Sequence, residues 1–334
     1  MLFQPLIAAS NSVIGLRRFV HGVSGVGLCV VFVYGGWLIG ESSRGLSFKL
    51  VPVTMVVGEI EHPAHVVQRA GRRWAAEVIS NRVVSWPIGR PREQITVSVE
   101  TSLDPLASPH FLHVMGETRL LVSEGWGQRI RMVDSNAMRY IALPTPSDLT
   151  LNAPHGICTS EGGEWLYIAD SLNSRIVRVS LQSQRWQIFP DHDRRVAYGR
   201  QLLCRRDGLW LANSHEDRVG LNPGVGSNVL RINDFQSGRS EVMAAFSDAN
   251  MTGLEVIDDR WLLVGLWGQR QTIGVVDLLS ESAVTYLPRR DDMVGPPYGF
   301  FFDKASRELL VAYLGDIRGG SQTGGFAVYR VPRG

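Results

Sequence analysis

A short phrase ending in arginine recurs six times along this chain. Its copies are residues 74–82 (WAAEVISNR), 120–129 (LLVSEGWGQR), 166–175 (LYIADSLNSR), 209–218 (LWLANSHEDR), 261–270 (WLLVGLWGQR) and 309–318 (LLVAYLGDIR). The closing arginines stand at 82, 129, 175, 218, 270 and 318, in steps of 47, 46, 43, 52 and 48. A period in the forties built of short β-type runs marks a radial β-repeat, because one unit cannot bury its own apolar face and must pack against its neighbours. Six units make a ring. A ring encloses a channel, and that is where chemistry is to be sought.

Each unit opens with a turn and a short apolar strand: Pro63-Ala64-His65-Val66, Pro109-His110-Phe111-Leu112, Pro154-His155-Gly156-Ile157, Ala197-Tyr198-Gly199-Arg200, Met251-Thr252-Gly253-Leu254 and Pro297-Tyr298-Gly299-Phe300. The arginine phrase supplies a second, buried-type strand. A third strand follows the arginine (130–133, 176–179, 229–232, 274–276, 326–331), and a fourth ends near proline or serine (140–143, 186–189, 242–246, 283–287). Runs this short, separated by Gly, Pro, Asn and Asp, predict antiparallel four-stranded blades. The sixth repeat lacks a fourth strand, and the β-rich run 48–57 (FKLVPVTMVV) stands before the first. Pairing the two closes the ring and removes an unpaired edge.

The stretch Pro154-His155-Gly156-Ile157, Leu166-Tyr167-Ile168-Ala169-Asp170-Ser171, Asn173-Ser174-Arg175-Ile176 resembles an NHL repeat. More broadly, residues 47–334 are similar to the six-bladed propellers of the NHL, SMP-30/gluconolactonase and strictosidine-synthase-like group. The resemblance implies an all-β fold, a six-bladed β-propeller of four-stranded antiparallel blades over residues 48–334.

Before it, residues 19–40 (FVHGVSGVGLCVVFVYGGWLIG) contain no Asp, Glu, Lys or Arg over 22 residues. As a helix they span roughly 33 Å, enough for a bilayer core of about 30 Å. Arg17 and Arg18 precede the run, which predicts a cytoplasmic segment 1–18, an N-terminal transmembrane (signal-anchor) helix 19–40, a linker 41–47 and an exported propeller. A cleaved signal peptide is the rival, but residues 38–43 offer no clear A-x-A site. Gly36 and Gly40 form one GxxxG pattern. A net charge of +2, with arginine pairs scattered at 72–73, 194–195, 205–206 and 289–290, gives no nucleic-acid-binding stripe. Cys158 and Cys204 sit on first strands of neighbouring repeats at different offsets from the start. That predicts buried free thiols rather than a disulfide.

Strand starts and second-strand ends emerge at one mouth of the channel. This places Ala64 or His65, His110, His155, Tyr198, Thr252 and Tyr298 there, with Glu77, Glu124, Asp170, Asn213, Gly265 and Tyr313 beside them. His110 and His155 share one position a blade apart, and imidazoles converging with Glu124 or Asp170 are what a divalent site (Zn or Ca) needs. The pattern is similar to the zinc-binding histidines of peptidyl-hydroxyglycine lyase propellers, although no third equivalent histidine is present. The Glu, Asn and Asp that SMP-30-type lactonases set around a metal are not matched, because His155 and Tyr198 stand in their places. Trp126-Gly-Gln-Arg129 recurs as Trp267-Gly-Gln-Arg270, and two rim tryptophans either hold a ligand or partner or cover the blade core. His215 and the glycine-rich segments 220–227 and 315–325 complete the rim. The six arginines read as scaffold, bridging carboxylates or turn carbonyls.

No P-loop, dinucleotide motif or nucleophile elbow is present. The leading expectation is a membrane-anchored, exported scaffold that binds a protein or small molecule at its channel mouth through His110, His155, Tyr198, Asn213, Tyr298, Trp126 and Trp267, with no nucleic acid. The alternative is a metal-dependent hydrolase or lyase built on His110 and His155.

Overall fold

The computed structural model describes residues 31–33, 36–38, 48–57, 60–96, 105–115, 119–134, 139–214, 227–268, 270–280, 284–289, 293–316 and 323–333. The chain divides into two compact units, Met1–Val51 and Pro52–Gly334. In the first, Val31–Val33 and Gly36–Leu38 form an antiparallel pair, and Trp37 lies opposite Leu50. These six positions of the expected membrane helix are extended, which suits the β-branched and aromatic run Val31-Phe32-Val33. The remainder of residues 19–40 lies outside the described residues. Among the described residues no helix is long and apolar enough to cross a membrane.

The second unit is a six-bladed β-propeller. From the axis outward, the first blade is Pro63–Arg69, Arg72–Glu77, Arg82–Pro87 and Ile95–Thr96. The second is Pro109–Met115, Arg119–Glu124, Arg129–Asp134 and Arg139–Ala142. The third is Pro154–Thr159, Trp165–Asp170, Arg175–Ser180 and Trp186–Ile188. The fourth is Tyr198–Arg205, Gly208–Ser214, Ser227–Asp234 and Arg239–Phe246. The fifth is Ala249–Ile257, Trp261–Gly268, Ile273–Asp277 and Thr285–Tyr286. The sixth is Pro297–Asp303, Glu308–Gly315 and Thr323–Arg330, with residues 52–57 of the strand Lys49–Val57 outermost. Inner strands touch in sequence order, and the sixth meets the first.

Apolar faces pack between blades. Trp86 of the first blade and Phe326 of the sixth, both fully buried, bring their rings to 5.5 Å. Burial of side chains this large contributes about 2–3 kcal/mol each. Inner strands are buried on both faces; all nine residues of Ala249–Ile257 are buried. Each inner strand carries one extra residue near its start, a β-bulge, at Pro63/His65, Pro109/Leu112, Pro154/Ile157, Gly199/Leu202, Met251/Gly253 and Pro297/Gly299. A bulge re-aims the side chains around it. Gly156, Gly253 and Gly299, at the third place of the opening motif, let neighbouring inner strands meet backbone to backbone: a Cβ on Gly299 would lie 2.3 Å from the Ala64 carbonyl oxygen.

The repeated arginines brace the hairpins between second and third strands. Arg82 pairs with Glu77, Arg129 with Glu124 and Arg175 with Asp170, each carboxylate fully buried. Every one of these carboxylates also accepts a backbone N–H from the segment entering its own blade: Glu61, Ala107 and Asn152 respectively, at 2.6–2.9 Å. The fourth blade does this with an amide, as Ala197 N–H donates to Asn213 Oδ1. In the fifth, Gly265 has no side chain to offer, and Arg270 turns to Asp248. Arg218 and Arg318 lie outside the described residues.

Cys158 and Cys204 are joined as a disulfide, with sulfurs 2.02 Å apart and Cα atoms 5.7 Å apart, correcting the expectation of free thiols. Neighbouring inner strands are not level. Gly156 lies against the backbone of Arg200, Gln201 and Leu202 rather than its motif partner Gly199. That displacement takes up most of the difference in offset and brings the two cysteines near one another.

Candidate functional site

The two ends of the channel differ. Where the inner strands start, side chains fill it. Arg200 Nη1 donates to the Tyr298 hydroxyl at 2.7 Å and to His155 Nε2 at 3.1 Å. Tyr298 belongs to the sixth blade and His155 to the third, on opposite sides of the ring, so this guanidinium crosses the axis. The His110 and His155 rings stand 4.1 Å apart, Tyr198 meets His155 edge-on at 5.2 Å, and the Arg200 guanidinium lies 4.4 Å over the Tyr198 ring. His155, Tyr298 and Arg200 are buried, as are Ala64 and Thr252.

Hydrogen bonds fix the tautomers. His110 Nδ1–H donates to the Ser108 carbonyl and His155 Nδ1–H to that of Ala153, both at 2.8 Å. His155 Nε2 is therefore the acceptor that meets Arg200. Burial, and after it the Arg200 charge, pushes His110 down to about 4. Burial also holds His155 well below the ordinary imidazole value, helped by His110 and Arg200. The pair is neutral and faces a guanidinium, which disfavours a second cation at the same place. Glu124 and Asp170 are given to arginines (Arg129 and Arg131; Arg175) rather than to the histidines. Among the described residues no group of three or more His, Cys, Asp or Glu is placed to hold a metal ion.

The structure thus brings together His110, His155, Tyr198 and Tyr298, and adds Arg200. Its signal in the sequence is the fourth place of the opening motif, where the other five repeats read Val66, Leu112, Ile157, Leu254 and Phe300. Asn213 is fully buried and knits its blade, donating to the Arg195 carbonyl and to Asn228. Trp126 stands 75 % exposed on a hairpin tip and covers no core, while Trp267 is half-buried. His215 lies outside the described residues, with most of the segments 220–227 and 315–325.

Where the inner strands finish, the channel opens into a cavity of about 750 Å³. Every blade lines it, through Val67, His113, Thr159, Leu203, Glu255 and Phe301 among others. Its floor is His65, Phe111, Gln201 and Phe300. His65 accepts from Leu112 N–H at Nδ1 and donates from Nε2 to the Phe300 carbonyl. Gln201 accepts from the N–H groups of Leu254 and Phe300 and donates to the Phe300 carbonyl. An innermost strand has no further strand to pair with, and these side chains satisfy its channel-facing edge. Thr159 N–H donates to His113 Nε2, so neutral His113 carries its proton on Nδ1, a donor on the cavity wall. Burial pushes both His65 and His113 down to about 4. Burial pushes the Glu255 carboxyl the other way, up to about 7. At the rim Arg205 pairs with Asp207 and Asp259, and Arg206 with Glu161. These rim residues lead into a second cavity of about 410 Å³ between the third and fourth blades, floored by Tyr167 and Phe235.

No family model matches the chain, and no curated protein matches it in sequence. Solved structures share its fold. A propeller assigned as a gluconolactonase is 11 % identical, covering 85 % of this chain and 96 % of that one, with a TM-score of 0.59. A catalytically inactive virginiamycin B lyase from Staphylococcus aureus, solved with quinupristin, is 14 % identical over 85 % of this chain and 100 % of that one, with a TM-score of 0.55. The extracellular domain of a one-component system from B. thetaiotaomicron is 11 % identical over 90 % of this chain and 38 % of that one, with a TM-score of 0.53. At such identities the likeness establishes architecture, and architecture alone does not transmit activity.

Proposed function

We propose that this chain, a six-bladed β-propeller of the SMP-30 and NHL kind, is a binding protein whose ligand enters the channel where the inner strands finish. The observation that carries the reading is the asymmetry of the channel. One end is filled by Arg200 bonded to both His155 and Tyr298, and the other is a roomy cavity walled by all six blades. A concave hollow that combines apolar walls with polar groups placed among them is the form small-molecule sites take, and this one has a charged rim. Export is part of the proposal: the charge-free run 19–40 directs the chain to a membrane, whether or not it stays there as an anchor given that six of its positions are extended in this structure, and the propeller lies on the far side. The charge-free run and the preceding arginines support it, and so does the Cys158–Cys204 bond, since disulfides persist in oxidising compartments.

The test is a small-molecule screen against the full chain, with hits located by crystallography. Hits are expected in the hollow beside His113 and Glu255, and Val114→Trp, which projects bulk into it, is expected to abolish them. Hits that cluster only at the His110 end, or on the outer edges of the blades, would defeat the reading. The metal-dependent hydrolase or lyase on His110 and His155 is the weaker alternative, because each Nδ1 is spent on a backbone carbonyl and His155 Nε2 on Arg200. Elemental analysis separates the two. A stoichiometric ion that disappears in a His110→Ala, His155→Ala double variant would reinstate the enzyme.

A further inference from the structure

We infer that the cavity receives a guanidinium group and that Glu255 is the residue that binds it, an inference that rests on the cavity being the ligand site. Its template lies within the molecule. Four carboxylates are buried among the described residues: Glu77, Glu124, Asp170 and Glu255. In the first three, one oxygen accepts a backbone N–H from the segment entering the blade, and an arginine guanidinium completes the shell. Glu255 has the backbone half of that arrangement. Oε1 accepts from Val256 N–H and Oε2 from Phe302 N–H of the next blade, both at 3.0 Å. No arginine, lysine or histidine lies within ion-pair distance of it among the described residues, and it is the one buried carboxylate that lines the cavity.

Each oxygen of a carboxylate accepts two hydrogen bonds, so one place on each is left for the occupant. A planar guanidinium fills both at once in a bidentate pair, and it is less strongly hydrated than an ammonium and so easier to bury. Across the channel, three blades away, His113 Nδ1–H offers a donor to whatever acceptor the rest of the molecule carries. The charged groups nearest Glu255 are Arg205 on the preceding blade, already held by Asp207 and Asp259, Asp259 itself in the adjoining turn, and Lys304 on the following blade. Burial outweighs the two backbone N–H bonds and the more distant charges of Arg205 and Lys304 and leaves the carboxyl titrating at about 7; a bound cation stabilises the ionised form, so affinity rises as pH passes upward through that value.

The experiment titrates the full chain with N-acetylarginine amide, its neutral isostere N-acetylcitrulline amide, and methylguanidine, followed by calorimetry and by NMR of the cavity methyl groups. At pH 8 the arginine derivative is expected to bind at least about tenfold more tightly than the citrulline derivative. The preference should vanish in Glu255→Gln and, without any substitution, in the wild-type chain at pH 5.5. If methylguanidine competes as well as the arginine derivative, the source is a small guanidino compound; if it competes far less well, the source is an arginine of a peptide. Equal affinity for arginine and citrulline derivatives, or a preference that survives in Glu255→Gln, overturns the inference. Screening hits in the cavity with no guanidinium preference would sink this inference and leave the binding reading intact. A cavity that takes neither these probes nor any screening compound ends both.

Discussion

Asp170 is fully buried, and its two oxygens are held by Asn152 N–H, Asn173 and Arg175. Removing the guanidinium while leaving the carboxylate costs far more than the pair contributes, because an uncompensated charge stays buried. Arg175→Leu is therefore expected to destabilise the chain by about 3 kcal/mol in urea unfolding. The double variant Asp170→Asn, Arg175→Leu should recover much of that, since the fourth blade already makes the same backbone contact with the amide of Asn213. A double variant no more stable than the single one would show that the carboxylate charge is not the issue. The scaffold role of Arg82, Arg129 and Arg175 was legible because a constraint that recurs from blade to blade leaves a repeated letter. The role of Arg200 was not. It appears once, in a position that is apolar elsewhere, and its partners His155 and Tyr298 come from other blades.

At the level of strands, the inner edge of each blade is tied to its neighbours by side chains, and between the third and fourth blades also by Cys158–Cys204. The bond closes a loop of 46 residues. Cys204→Ala, or reduction of the wild-type chain, is expected to lower the unfolding free energy by roughly 2–4 kcal/mol. A urea midpoint indifferent to reductant would mean that the folded protein does not hold this bond. Short strands and turn residues at a fixed period announced four-stranded blades, because both signals are local. The disulfide was missed for a physical reason. Contact between two inner strands depends on their stagger, which the bulges and the close approach at Gly156 set, and neither shows in a count of residues from the strand start. The same holds for the open end of the channel. Side-chain sizes on six strands decide together where space is left, and the conspicuous histidines mark the end that is filled.

The whole ring buries imidazoles at both ends of its channel, and this gives its stability a pH dependence of known sign. His65, His110 and His113 titrate at about 4 in the folded chain because burial disfavours their charged form. Unfolded, they titrate near 6.5. Between those values the unfolded chain binds more protons, so the stabilisation is complete above about pH 6.5 and is lost as pH falls through 4. At about 1.4 kcal/mol per pH unit, the enclosed His65 alone accounts for about 3 kcal/mol. Glu255 works in the opposite direction: its folded value of about 7 lies above that of the unfolded chain, so the folded state loses stability as pH rises from about 4.5 through 7. Glu77 shares that sign. Three imidazoles outweigh the carboxyls on the acid side, and the carboxyls act alone above about pH 6.5. The melting temperature of the full chain is therefore expected to climb steeply from pH 4, peak near about pH 6.5 and decline slightly towards pH 8. Glu255→Gln should flatten the decline and leave the acid limb in place. If a guanidinium ligand completes the Glu255 shell, its presence should raise the melting temperature most at pH 8, where the empty carboxylate is costliest, and scarcely at all at pH 5.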